Sequence, residues 1–159
     1  GYIAERRRAC MVLLNKWDLI EKDASTAKRH IDAVKERLKF MSYAPVWTTS
    51  ALEGRRIFRI FDQTKTLYEQ YTTRVGTGVL NRIIQEIIQQ NEPSIYRGRR
   101  IKFYYATQSY TAPPTFVCFV NYPEGIHFSY ERYVTNRLRE ALGLDKTPIR
   151  LIFRKRGKK

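Results

Sequence analysis

Asn15, Lys16 and Asp18 bring an amide, an amine and a carboxylate together within four residues, and they directly follow an apolar run. The run, residues 10–14, contains no alternating polar residue, which predicts a strand buried on both faces of a sheet. The three polar side chains then lie where this strand leaves the sheet. In open α/β sheets, that carboxyl edge is where ligands bind.

The carboxylate of Asp18 suits one kind of base. It can accept two parallel hydrogen bonds, and the N1–H and 2-amino group of guanine form such a pair of donors. Adenine offers an acceptor at N1 and no 2-amino group, so a buried Asp18 facing it would stay unpaired at a cost of roughly 1–3 kcal/mol. Asn15 can supply an amide to the base edge or brace the loop, and Lys16 can lay its aliphatic stem over the base. A polar turn after a core strand is the alternative interpretation.

A second short apolar strand is predicted within residues 46–52, and it ends in Thr49, Ser50 and Ala51. Residues 26–39 lie between the two strands and carry apolar side chains at helical spacing. This order predicts a βαβα unit of a parallel sheet, in which both loops reach the same edge. The small side chains of Ser50 and Ala51 would let a backbone N–H approach the O6 of a purine.

The last helix of this unit is predicted over residues 54–71. Six apolar residues would form its buried side: Ile57, Phe58, Phe61, Leu67, Tyr68 and Tyr71.

The chain has 159 residues and a net charge of +15, from 30 basic and 15 acidic residues. Residues 1–72 hold 14 basic and 9 acidic residues, and residues 73–159 hold 16 and 6, so the second half is the more basic. Such an imbalance indicates a polyanionic partner, most commonly nucleic acid. The sequence has no apolar run of 18 residues and no visible signal peptide, so we predict neither a transmembrane helix nor a membrane partner.

The two cysteines, Cys10 and Cys118, are far apart and each lies in an apolar run. This pattern predicts buried free thiols in a reducing compartment. His30 and His127 have no partners at ligand spacing, so no metal site is predicted. The chain begins at Gly1, and residues 1–8 resemble the end of a surface helix. We therefore expect a piece of a longer protein.

Residues 72–77 combine β-branched residues with glycine and predict a boundary between a first domain, residues 1–72, and a second domain, residues 73–159. In the second domain Thr77 is the predicted cap of the first helix, and the two strands that follow should form an antiparallel hairpin. The predicted elements are a helix over 77–90, strands over 99–108 and 115–120, a helix over 129–142, a strand over 149–153 and a basic tail from Arg154. Ser129 or the residue before it is the predicted cap of the second helix, and Ala141 is predicted to face inward. This α-β-β-α-β order resembles a KH domain, which is an RNA-binding fold.

A KH domain grips RNA through a G-x-x-G loop, and this sequence contains none. Contact with RNA would then depend on basic side chains and phosphates, which makes binding sequence-independent and salt-dependent. A solvated surface is the alternative role for these charges. The aromatic residues Phe103, Tyr104 and Tyr105 suit either a buried interface or base stacking. The candidate RNA-binding residues are Arg97, Arg99, Arg100, Lys102, Arg137, Arg139, Arg154, Lys155 and Arg156.

Together, these features resemble the C-terminal region of the bacterial tandem-domain GTPases called Der or EngA. The resemblance rests on Asn15-Lys16-Trp17-Asp18, Thr49-Ser50-Ala51 and residues 76–81, 102–108, 113–117, 132–142 and 148–151. It implies an α/β fold in which the C-terminal part of a P-loop-type GTPase domain, with a parallel sheet, precedes a KH-like domain.

The resemblance also implies a function. The guanine-binding residues would be Asn15, Lys16, Asp18, Ser50 and Ala51. The parent protein would use GTP or GDP with Mg²⁺, assist assembly of the large ribosomal subunit through rRNA, and act in the bacterial cytoplasm.

The sequence contains neither a G-x-x-x-x-G-K-[ST] loop nor a D-x-x-G segment. Phosphoryl transfer needs such groups to hold the γ-phosphate and its metal. We therefore predict that the chain alone has no catalytic residues, does not hydrolyse GTP and binds no nucleotide tightly. Three functions stay open: part of a GTP-hydrolysing ribosome-assembly factor, a non-catalytic RNA- or ribosome-binding module, and a module that docks on an upstream GTPase domain of the same polypeptide.

Overall fold

The computed structural model describes residues 1–21, 23 and 25–157. Packing divides the chain into a first unit, Gly1–Tyr71 with Lys146–Pro148, and a second unit, Thr72–Asp145 with the segment that begins at Ile149. No helix in the described residues is long and apolar enough to cross a bilayer. The elements are α1 (Tyr2–Glu5), β1 (Val12–Leu14), α2 (Thr26–Arg37), β2 (Val46–Thr48), α3 (Ile57–Tyr71), α4 (Thr77–Gln90), β3 (Phe103–Tyr110), β4 (Thr115–Val120), α5 (Phe128–Ala141) and β5 (Arg150–Lys155).

The first unit contains a two-stranded parallel sheet in which Val12 pairs with Val46 and Leu14 with Thr48. Helix α2 makes the crossover that parallel strands require, and it packs beside β2. The prediction that the first strand is buried on both faces is wrong, because Leu13 is 43 % exposed. Burial on both faces requires helices on both faces, and the described crossover helix packs beside the neighbouring strand.

Helix α3 is apolar on two sides, and the structure buries one of them. Leu67 and Tyr71, four residues apart, are buried as predicted. Phe58, Phe61 and Tyr68 are 82 %, 68 % and 65 % exposed, so their predicted burial is wrong. At 3.6 residues per turn these three side chains share a different side of the helix from Leu67 and Tyr71.

The second unit is built on a three-stranded sheet of order β3-β4-β5. Strands β3 and β4 are antiparallel, and β4 and β5 are parallel. Helices α4 and α5 cover one face, and the core between them and the sheet includes the fully buried Leu80, Phe116 and Leu138. The predicted α-β-β-α-β order is confirmed. Every residue of the central strand β4 is buried except Phe119, which is half-buried.

Some strands of the second unit begin or end at other residues than predicted, because a backbone turn or a strand pairing sets the end. Strand β3 begins at Phe103 and not at residue 99. Arg97 and Gly98, with left-handed φ values of 48° and 73°, turn the chain so that the backbone of Arg99 pairs with Tyr96 and not with β4. Strand β5 extends through the first two residues of the predicted tail, which pair with the end of β4. These two residues are Arg154 and Lys155.

Helix ends give three further differences. Gly76 occupies the N-cap of α4, and Thr77 is its first helical residue. His127 caps α5 by accepting a hydrogen bond at Nδ1 from the N–H of Ser129, at 3.3 Å. Ala141, predicted to face inward, is exposed at the last turn of α5.

Strand β3 forms an edge of the sheet, and an asparagine side chain pairs with part of its backbone. Asn81 accepts from the N–H of Ala106 at 2.7 Å and donates to the C=O of the same residue at 2.8 Å. An amide side chain offers one acceptor and two donors, so it can replace a neighbouring strand at one residue. This pairing protects an edge that could otherwise recruit another chain.

We expect Asn81→Ala to raise the hydrogen-exchange rate of the Ala106 amide by about tenfold or more. The substitution leaves two polar groups of a fully buried residue without partners, at a cost of roughly 1–3 kcal/mol. Asn81→Asp is the matched control, because it keeps an acceptor and should preserve most of the protection. Unchanged exchange in Asn81→Ala would contradict a role for this side chain at the edge.

The two cysteines are free thiols in different environments. Cys118 is fully buried in β4, and burial raises its pKa to about 12. Cys10 is half-buried, and burial raises its pKa as well. The thiolate is the reactive form, so Cys118 should be inert at neutral pH.

Titration of the folded chain with a disulfide reagent at pH 8 should label Cys10 and leave Cys118 unmodified until denaturant is added. With a pKa near 12, about one Cys118 in ten thousand is ionised at that pH. Cys10→Ala should abolish the labelling of the folded chain. A rapidly reacting thiol in folded Cys10→Ala would show that Cys118 is accessible.

Candidate functional site

Two loops leave the same edge of the parallel sheet, and backbone hydrogen bonds join them. The N–H of Thr49 donates to the C=O of Leu14 at 2.9 Å, and the N–H of Trp17 donates to the C=O of Thr49 at 3.0 Å. The strand pairing therefore continues past β1 and β2. It places residues 15–18 beside Ser50 and Ala51.

Side chains complete the contact between these loops. The hydroxyl of Ser50 donates to Oδ1 of Asp18 at 2.5 Å, although the two residues are 32 positions apart. The N–H of Ala51 donates to Oδ1 of Asn15 at 3.0 Å. Ser50 is 1 % exposed and also accepts from the N–H of Glu53, so its hydroxyl is held in place and orients the carboxylate. Asn15 braces the loop, which was one of its two predicted roles.

Lys16 and Trp17 lie between Asn15, which contacts Ala51, and Asp18, which contacts Ser50. Lys16 has φ 61° and ψ 34°, a left-handed conformation that turns the chain between Asn15 and Asp18, and its side chain is exposed. Trp17 meets His30 of α2 edge to face, with ring centroids 5.4 Å apart. The indole therefore fixes the loop to the helix and leaves the lysine stem at the surface.

A cavity of about 90 Å³ borders Asp18. Arg55 and Arg56 help to line it, and neither is among the predicted site residues. Arg56 donates to the hydroxyl of Thr48, and Arg55 forms an ion pair with Glu53 at 2.7 Å. Their one sequence signal is that they follow Gly54, which ends the loop with a φ of 66°.

The geometry fits a guanine edge. A carboxylate has about four acceptor positions, so the bond from Ser50 is compatible with two further donors from a base. The N–H of Ala51 is bonded to Asn15, and binding of a purine O6 to this N–H requires Asn15 to share or release it. For Mg²⁺ the described residues provide no group of three His, Cys, Asp or Glu side chains that could hold a metal ion.

Most of the candidate RNA-binding residues of the second unit gather at one end of its sheet. The N–H of Lys102 donates to Oδ1 of Asn121 just after β4, and the N–H of Arg156 donates to the C=O of Val120. The segments before β3, after β4 and at the end of β5 therefore meet. We call the resulting surface the basic end, which comprises Arg97, Arg99, Arg100, Lys102, Arg154, Lys155 and Arg156.

Aromatic side chains are interleaved with the basic end. Arg99 donates to the hydroxyl of Tyr122 at 2.9 Å, and this contact raises the pKa of the guanidinium. Arg97 lies over the ring of Tyr96, with 5.2 Å between the guanidinium carbon and the ring centroid. Such contacts hold the cationic groups in defined positions at the surface.

Arg137 and Arg139, the two candidates on α5, make contacts within the second unit. Arg137 donates to Gln90 at 2.7 Å and to Glu140 at 2.8 Å. Arg139 donates to the C=O of Leu144 at 3.2 Å. The structure thus gives both arginines partners outside the basic end.

Residues 74–154 match the family model described as the KH-domain-like domain of EngA bacterial GTPase enzymes, C-terminal. The chain belongs to the EngA family. The resemblance noted in the sequence and the KH-like fold of the second unit are both confirmed.

Curated EngA relatives extend the match to the first unit. The GTPase Der of Syntrophobacter fumaroxidans is 56 % identical over 157 residues, which are 98 % of this chain and 35 % of that protein. The GTPase Der of Desulforapulum autotrophicum is 46 % identical over 159 residues, 99 % of this chain and 32 % of that protein. The GTPase Der of Geobacter metallireducens is 44 % identical over 159 residues, 100 % of this chain and 36 % of that protein. The EngA-family chain spans about a third of the length of these relatives.

We expect Asp18→Asn to lower the preference for GTP over xanthosine triphosphate by about tenfold or more, tested in the Syntrophobacter GTPase Der with its matching segment replaced by this chain. An amide cannot accept the two guanine hydrogen bonds, but it can donate to the C2 carbonyl of xanthine. Competition binding of the two nucleotides measures the change.

Asp32→Asn is the matched control, because it makes the same chemical change on the exposed surface of α2. It should leave the nucleotide preference unchanged. A GTP preference that Asp18→Asn does not alter would remove Asp18 from base recognition.

Proposed function

We propose that this chain supplies the guanine-recognition part of a GTP-hydrolysing EngA-family factor and that its second unit binds RNA of the large ribosomal subunit. The observation that carries the first part is the bond between Ser50 and Asp18, formed across the joined loops. Asp18 would accept from the base, Ser50 would orient Asp18, and Lys16 would cover the base with its stem. Asn15 would hold the Ala51 loop.

Hydrolysis would require groups from outside this sequence. Mg²⁺ bound with GTP would supply positive charge at the phosphates, and its ligands would also come from outside this sequence. The sequence contains no phosphate-binding loop, so the chain's own residues serve to select the base and not to move the phosphoryl group. No catalytic role is assigned to any of its residues.

A second proposed role is docking to other GTPase-domain segments of the same polypeptide. The exposed apolar side of α3 supports it, because Phe58, Phe61 and Tyr68 together form a stripe at helical spacing. Isolated exposed apolar residues are common, whereas several large ones on one side of a helix favour an interface. Relatives about three times as long as this chain provide such segments.

The basic end supports the RNA part of the proposal. Residues 73–159 hold 16 basic and 6 acidic residues, and seven of the basic residues lie at one end of the sheet. Phosphate contacts from such a surface favour RNA of any sequence, and the ribosomal subunit would select the position. A ribosome-assembly role would place the parent protein in the bacterial cytoplasm.

Replacing Arg99, Arg100 and Lys102 with Gln should weaken binding of the chain to isolated large ribosomal subunits. Each lost phosphate contact lowers the slope of log affinity against log salt by about 0.7–0.9. Three lost contacts should thus reduce the slope by about two to three. Binding measured over a range of potassium chloride concentrations gives this slope.

Lys28, Lys35 and Arg37 of α2 provide a control with the same loss of charge. Their replacement with Gln should change the slope by less than about one, because their side chains lie in the first unit. Equal slopes for the two triple variants would show that net charge, and not the basic end, determines binding.

A further inference from the structure

The face of the second unit's sheet that points away from α4 and α5 carries a row of aromatic and cationic side chains. Residues alternate between faces along a strand, and Phe116 and Cys118 of β4 point into the core. Phe119 therefore points to the opposite face. Its partners in register are Tyr105 on β3 and Arg154 on β5.

The two aromatic rings of this row form a stack. The rings of Tyr105 and Phe119 are 4.4 Å apart at their centroids and tilted by 19°. Tyr105 is 43 % exposed and Phe119 is half-buried, so Phe119 supports the outer ring. Arg154 is exposed on the other side of Phe119.

A second aromatic–arginine pair lies at the same end of the sheet. The guanidinium carbon of Arg156 is 5.1 Å from the ring centroid of Tyr104, which is 41 % exposed. The pairing register shifts between Phe103 and Tyr105, so Tyr104 is the extra residue of a β-bulge. Phe103 instead packs edge to face against Phe153, with centroids 5.9 Å apart.

Exposed aromatic faces next to arginines have a defined chemistry toward RNA. Unpaired bases stack on aromatic rings and on guanidinium planes, while the neighbouring phosphates pair with the cations. Paired bases in a duplex already cover one another and cannot use such rings. An acidic protein could pair with the arginines, but it would not need a stacked pair of rings.

We propose that the row formed by Tyr105, Phe119 and Arg154, extended by Tyr104 and Arg156, stacks the bases of single-stranded RNA. The proposal rests on the proposed RNA binding of the second unit and defines which form of RNA it takes. The basic end would hold the phosphates without selecting single strands. The stacked rings would add the preference for unpaired bases.

The test measures the binding of three RNA probes to the 159-residue chain. They are a single-stranded RNA of about 12 nucleotides, a duplex of the same length and an abasic strand with the same backbone. Tyr105→Leu should weaken binding of the single strand by about tenfold and leave the other two affinities unchanged. Tyr105→Phe keeps the ring and should bind all three probes as the unsubstituted chain does.

Tyr110→Leu is the matched control, because Tyr110 lies on the same strand, is 70 % exposed and is outside the row. It should bind every probe normally. If Tyr105→Leu fails to fold, as judged by circular dichroism, Tyr104→Leu replaces it with the same expected loss.

The outcomes separate the two proposals. If the triple Gln variant of Arg99, Arg100 and Lys102 weakens all three probes and the leucine variants weaken none, RNA binding stands and base stacking is overturned. A face used for protein docking would give this result. If the triple variant also binds every probe unchanged, the proposed RNA function fails and the stacking fails with it. Loss of the single strand alone in Tyr105→Leu supports the proposal.

Discussion

The proposed guanine-binding site depends on parallel pairing that continues beyond the two strands of the first unit. Three paired residues on each strand are a short sheet, and the bonds from Thr49 to Leu14 and from Trp17 to Thr49 extend it into the loops. Because backbone hydrogen bonds hold the two loops together, side chains on one loop lie within hydrogen-bond distance of the other. The Ser50 hydroxyl and the Asn15 amide then close the site. A change in strand register would separate Ser50 from Asp18 and Ala51 from Asn15 at the same time.

In the second unit, helices cover the sheet on one face. Its edge strand β3 has no strand beyond it among the described residues, and Asn81 pairs with its backbone instead. Asn121, which follows β4, accepts from the N–H of Lys102 just before β3. One amide protects the middle of the strand, and the other joins its start to the end of β4. The hydrogen bond between Asn121 and Lys102 also brings together two segments of the basic end. One side chain therefore connects the start of β3 to the end of β4 and holds cationic residues near one another.

Two errors of the sequence-based predictions have a common cause. Phe58 and Leu13 are apolar, and apolar residues were assigned to the interior. Hydrophobicity indicates that a side chain favours burial, but it does not identify the surface that covers it. Where the described chain supplies no covering element, the residue is exposed. Phe103 is half-buried because Phe153 and Tyr130, which are distant in sequence, pack against its ring.

The sequence alone determined the order of elements, the βαβα and α-β-β-α-β patterns, and the five residue types of the proposed guanine-binding site. These follow from periodicity and local motifs, which need only neighbouring residues to be recognised. The tertiary structure alone decided that Asn15 braces Ala51, that Arg55 and Arg56 border the cavity, and that Tyr105, Phe119 and Arg154 share one row. Each of these relations joins residues through strand register or backbone turns, and the free energy that selects them comes from contacts between distant segments.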